Sequence, residues 1–80
     1  MVAIKVGDIR YYYDSGDKFK VEVLDISLQN YGKSVGEEYK LQLLEVVYTT
    51  AQNPPLPGLE FVVWRAIDAG GYAGWSLRER

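Results

Sequence analysis

The sequence predicts an all-β fold: one small five-stranded antiparallel barrel, strongly bent, with little or no helix. Three observations carry this. First, in Lys18–Leu28, KFKVEVLDISL, Phe19, Val21 and Val23 alternate with Lys20 and Glu22, the period of a half-buried strand. The phase then changes, and Leu24, Ile26 and Leu28 carry the apolar series with Asp25 and Ser27 between them. One strand cannot turn both series inward unless it bends or bulges near Val23–Leu24. Second, the same change recurs in Glu37–Thr50. Tyr39, Leu41 and Leu43 alternate with Lys40 and Gln42, and then Leu44, Val46 and Tyr48 take over. Third, clusters of Gly, Asp, Ser and Pro separate the apolar runs.

The elements follow in order. Val2–Val6 is a lead-in strand or a tail packed over one end of the barrel. Gly7-Asp8 is turn chemistry, because Gly permits positive φ and Asp bonds its own local backbone. Ile9–Tyr13 is a first strand rich in aromatic β-formers, and Asp14-Ser15-Gly16-Asp17 turns it into the second as a hairpin. Gln29–Gly36 is polar and reads as a loop of about eight residues, in which Tyr31 and Val35 fold back on the barrel. For Glu37–Val47 a helix is the competing reading, since Tyr39, Leu43 and Val46 also fall at helical spacing; the β-branched Val46, Val47, Thr49 and Thr50 argue against it. Pro54, Pro55 and Pro57 make Ala51–Gly58 an irregular connection. Leu59–Ile67 is a third long strand, Asp68–Gly71 a tight turn, and Tyr72–Leu77 a short last strand. The expected order is up-and-down.

Eighty residues allow one domain, spanning 1–80. With 48% apolar and 14% aromatic residues the chain carries enough large side chains for a core. There is no cysteine, which excludes disulfides and thiolate metal sites, and no histidine, the commonest general base near neutral pH. No cofactor is expected. The net charge of −2 comes with acids and bases interspersed, so nucleic acid is not the first partner to expect. No apolar run approaches the ~20 residues of a membrane span. MVAIKVGD lacks the layout of a secretory signal, and a cytoplasmic location is the expectation.

The pattern resembles a Src-homology-3-like or Tudor-like barrel. Val6-Gly7-Asp8 before a strand is similar to the opening of bacterial barrels of this kind. Trp64-Arg65-Ala66 followed by Gly71-Tyr72-Ala73-Gly74-Trp75 resembles the later strands and distal hairpin of a Src-homology-3 domain. Tyr12-Tyr13-Asp14 is a partial echo of the Ala-Leu-Tyr-Asp-Tyr motif, and Ser76-Leu77-Arg78 stands where that family has a proline and a tyrosine. The resemblance implies the fold and not the ligand.

Function is expected at the aromatic residues. Alternation puts Tyr11 and Tyr13 on one side of the first strand and Tyr12 on the other. With Trp75 and the acids Asp14 and Asp17, such a surface could hold a cationic side chain, as Tudor-type cages do. The plainer alternative is barrel packing. Trp64, among Val62, Val63 and Ala66, reads as core, whereas Trp75 after Gly74 reads as the better binding residue. Arg65 is expected to point outward beside Glu60 or another strand's acid. Asp14-x-x-Asp17 is too sparse for a calcium loop. Ser15, Ser27, Ser34 and Ser76 have no evident base beside them, so the chain does not read as an enzyme. The expectation is a non-catalytic protein-binding or assembly module, self-association included. Its contact residues would be Tyr11, Tyr13, Asp14, Asp17, Tyr72 and Trp75. The alternatives are a nucleic-acid-binding barrel of the ribosome- or polymerase-associated type, which needs Lys5, Lys18, Lys20, Lys33 and Lys40 on one face, and a structural accessory subunit.

Overall fold

The computed structural model describes residues 4–66 and 74–79. The expected Asp68–Gly71 turn and Tyr72 lie outside the described residues. Five strands form one antiparallel sheet: β1 (Ile9–Asp14), β2 (Asp17–Tyr31), β3 (Ser34–Tyr48), β4 (Glu60–Ala66) and β5 (Trp75–Arg78). The described residues contain no helix, and Glu37–Val47 lies within β3. The sheet order is β4-β3-β2-β1-β5, so the first four strands run up and down while the last returns to lie beside the first.

Both changes of phase are bulges. Val23 pairs with Leu41 and Asp25 with Lys40, which leaves Leu24 as one extra residue in β2. Lys20 pairs with Glu45 and Val21 with Leu43, which leaves Leu44 extra in β3; Val47 is a further extra residue between the Phe19–Val46 and Lys18–Tyr48 pairs. An inserted residue restores the phase of the strand, so Ile26 and Val46 reach the same side as Val23 and Leu43. The ladder partner on the other edge of Val23 is the lead-in: Val23 N–H donates to the Asp8 carbonyl at 2.9 Å, and Gly7 N–H donates to the Val23 carbonyl at 2.7 Å. Gly7 takes φ 91°, as its turn requires.

The buried core is Tyr12, Phe19, Val21, Val23, Tyr39, Leu41 and Leu43, backed by the half-buried Ile4, Ile26, Val46, Phe61, Val63, Trp75 and Leu77. These residues bring together strands that are distant in the sheet. Tyr12 on β1 meets Phe61 on β4 with ring centroids 5.5 Å apart, and Trp75 on β5 meets Tyr39 on β3 at 5.8 Å. In a flat sheet, strands three places apart would be separated by about 14 Å. The sheet is therefore curled. Its two outer strands share no ladder among the described residues, and a side chain spans them instead: the Trp75 indole N–H donates to the Trp64 carbonyl at 3.2 Å.

Three expectations need correction, and one is settled between its alternatives. The eight-residue loop Gln29–Gly36 is instead a two-residue turn, Gly32-Lys33, at the tip of a β2–β3 arm. Gly32 at φ 62° is what lets so short a connection close, and Leu28, Tyr31 and Val35 stand exposed on the arm. Trp64 is not core: it lies across β3 over Gly36, packs edge-to-face with Tyr31, and its indole N–H donates to the Gln29 carbonyl at 3.0 Å. Of the two acids expected for Arg65, the neighbouring strand's is the one it meets: its Nη2 is 3.4 Å from Glu37 Oε1 of β3 and 3.0 Å from the Tyr39 hydroxyl, while Glu60 pairs with Lys40. The up-and-down order breaks at β5, which pairs with β1 and shares no ladder with β4 among the described residues.

Candidate functional site: an aromatic and cationic sheet face

The β1–β2 turn sets the site. Ser15 and Gly16 are its two central residues, both at positive φ (33° and 92°), the requirement of the turn that matches the twist of a two-residue hairpin. It fixes the register Tyr13–Lys18 and Tyr11–Lys20. Alternation then separates the tyrosines. Tyr12 points inward, stacked on Phe19 and tilted against Trp75, while Tyr11 and Tyr13 stand on the opposite, outer face. Burial raises the Tyr12 phenol well above its usual pKa, helped by its hydroxyl donating to Asp14 Oδ2 at 2.9 Å.

Cross-strand pairing continues across the outer face. Tyr48 of β3, Lys18 of β2, Tyr13 of β1 and Ser76 of β5 form one row; Glu45, Lys20, Tyr11 and Arg78 form the next. Three tyrosines and three cations are interleaved there. Lys18 Nζ sits 4.5 Å from the Tyr11 ring centroid and 5.5 Å from that of Tyr13, and the Arg78 guanidinium carbon is 5.3 Å from that of Tyr13. The rings expected to receive a foreign cation are thus already covered by the chain's own.

Beside the turn, a groove of about 560 Å³ is lined by Tyr13, Asp14, Asp17, Lys18, Tyr48 and Trp75. Its acids have structural partners: Asp14 accepts from Tyr12, and Asp17 Oδ1 accepts from Thr49 Oγ1 at 2.8 Å. A carboxylate keeps further acceptor sites after one such bond. Tyr13, Asp14, Asp17 and Trp75 therefore share the groove, and Tyr11 shares the outer face but lines no part of the groove. Trp75 is half-buried against Tyr12 and Tyr39. Sequence reasoning missed Tyr48 and Arg78. Only the bulges at Leu44 and Val47 place Tyr48 beside Lys18, and only the β1–β5 pairing places Arg78 beside Tyr11.

At the other end, Arg65, Glu37 and Tyr39 form a polar cluster, in which the Tyr39 hydroxyl donates to Glu37 Oε2 at 3.1 Å. Burial raises the Tyr39 phenol and nearby Arg65 opposes the shift. Among the described residues no group of three His, Cys, Asp or Glu side chains could hold a metal ion. No family model matches the chain, and neither a curated protein nor a solved structure matches it.

Proposed function

We propose that this chain is a non-catalytic protein-binding module built on a Src-homology-3-like barrel, and that the groove at the β1–β2 turn with the adjoining outer face is its contact surface. The observation that carries the reading is the gathering of Tyr13, Tyr48 and Trp75 around one concavity with a polar rim. Partly exposed aromatics on a rigid sheet give large contact area at little entropic cost, as binding surfaces use them. The curled sheet and the β5–β1 pairing support the barrel. Nucleic acid is the less favoured occupant. Lys18 and Lys20 share the outer face with Arg78, but Lys40 is paired with Glu60 and Lys33 sits at the arm tip, and the net charge is −2.

The test is a photo-cross-linking residue at position 48, compared with one at position 33 on the arm tip, in the source cell. Adducts specific to position 48 and lost in Tyr13→Ala are expected. Identical adducts at both positions would remove the groove as the contact surface.

A further inference from the structure

Eight lysines and arginines lie among the described residues, and three of them are ion-paired. Arg10, Lys40 and Arg65 have carboxylates within 3.4 Å: Asp8, Glu60 and Glu37 respectively. Of the other five, Lys5 lies in the lead-in and Lys33 at the arm tip, while Lys18, Lys20 and Arg78 likewise have no carboxylate within ion-pair distance among the described residues, although the chain has more acids than bases. These three stand together on the outer face of β2, β1 and β5. Glu45, opposite Lys20, is the one acid in the two rows they occupy.

The tyrosines shape this charge. A ring face beneath an ammonium or guanidinium holds it in place but cannot neutralise it. Lys18 is held over Tyr11 and Tyr13, and Arg78 over Tyr13, so their remaining N–H donors are pre-oriented on the outer face. Because side chains two apart on a strand are separated by about 6.7 Å, Lys18 and Lys20 match the spacing of alternate residues in an extended peptide. Arg78, two strands across, widens the patch by about 10 Å.

From this charge complementarity we infer that the occupant of the outer face is an acidic peptide segment of a partner protein, extended along β2 with carboxylates at alternate positions. The inference rests on the reading of this surface as a protein contact, and it names the partner's chemistry. An acidic strand satisfies three cations without requiring the tyrosine faces to be vacated. A single-stranded nucleic acid would need those faces for base stacking.

The probe is a fluorescein-labelled twelve-residue peptide alternating glutamate and serine. A glutamine–serine peptide is the neutral control, and a twelve-nucleotide oligothymidylate represents nucleic acid. Anisotropy should rise with the acidic peptide at concentrations where the neutral one leaves it flat. Lys20→Gln and Arg78→Gln should each weaken binding about threefold, the size of a partly exposed ion pair, and together about tenfold. Their thermal midpoints should stay at the wild-type value. Equal response to the acidic and neutral peptides overturns the inference. So does oligothymidylate binding tighter than the acidic peptide with a steep salt slope. If adducts at position 48 persist while the acidic peptide fails, the partner's chemistry is wrong and the contact surface stands. If both fail, the surface itself is wrong.

Discussion

Gly36 owes its identity to a side chain on the neighbouring strand. It is buried in β3, and a Cβ built there would collide with the indole of Trp64. The ring needs that space to cross β3 and reach the Gln29 carbonyl. Gly36→Ala should therefore lift Trp64 off the sheet and cost about 1–3 kcal/mol, the usual penalty of overpacking. Urea unfolding followed by tryptophan fluorescence measures it, and an unchanged midpoint would contradict the clamp. Asp8 is another residue whose role is local. Its Oδ2 accepts from the Lys5 amide at 2.9 Å and from Arg10 Nη2 at 3.2 Å, and these bonds hold its carboxyl below the usual range. That contribution is present above the unfolded aspartate pKa and is lost as the pH falls through the lower folded value.

At the scale of the element, the extra residues of the long strands β2 and β3 are what bend them. Without Leu24 the pairs on either side of it, Val23–Leu41 and Asp25–Lys40, would follow in plain alternation with Ile26 still inward, and what β2 would lose is its local bend and added twist. Deletion of Leu24 should straighten β2 against the curl of the sheet and lower the midpoint of the near-UV circular dichroism transition. A sharp transition at the wild-type midpoint would mean that the bulge is dispensable. These elements were legible in the sequence because a bulge in a half-buried strand is written as a break in the two-residue period, at Val23–Leu24 and at Leu43–Leu44. The β2–β3 turn was not. Polar residues and glycines are equally compatible with a loop and with a two-residue turn capping an exposed arm, and Gln29–Gly36 forms the latter.

For the whole molecule, the decisive contact is the one that draws the outer strands together. Trp75 packs on Tyr12 and Tyr39 and donates to the Trp64 carbonyl, so a residue of β5 binds β4 across a sheet that no described ladder closes. Trp75→Ala should cost about 3 kcal/mol, as truncations of packed aromatics do. In a chain of this size that lowers the thermal midpoint by on the order of 15 °C. A variant melting within a few degrees of the wild type would show that the curl is held elsewhere. The candidate site depends on the same curl, because Trp75 enters the groove from β5 while Tyr48 enters from β3.

The sequence by itself determined the all-β class, the hairpin at Ser15-Gly16, the two phase breaks and the separation of Tyr12 from Tyr11 and Tyr13. All of these are written in the spacing of residues along one strand. Only the tertiary structure decided that Trp64 lies outside the core and Trp75 packs against it, that Lys18 and Arg78 cover the tyrosine rings, and that Tyr48 completes the groove. Those contacts join residues on different strands. Their register depends on where each bulge falls and on β5 pairing with β1, neither of which any single stretch of chain encodes.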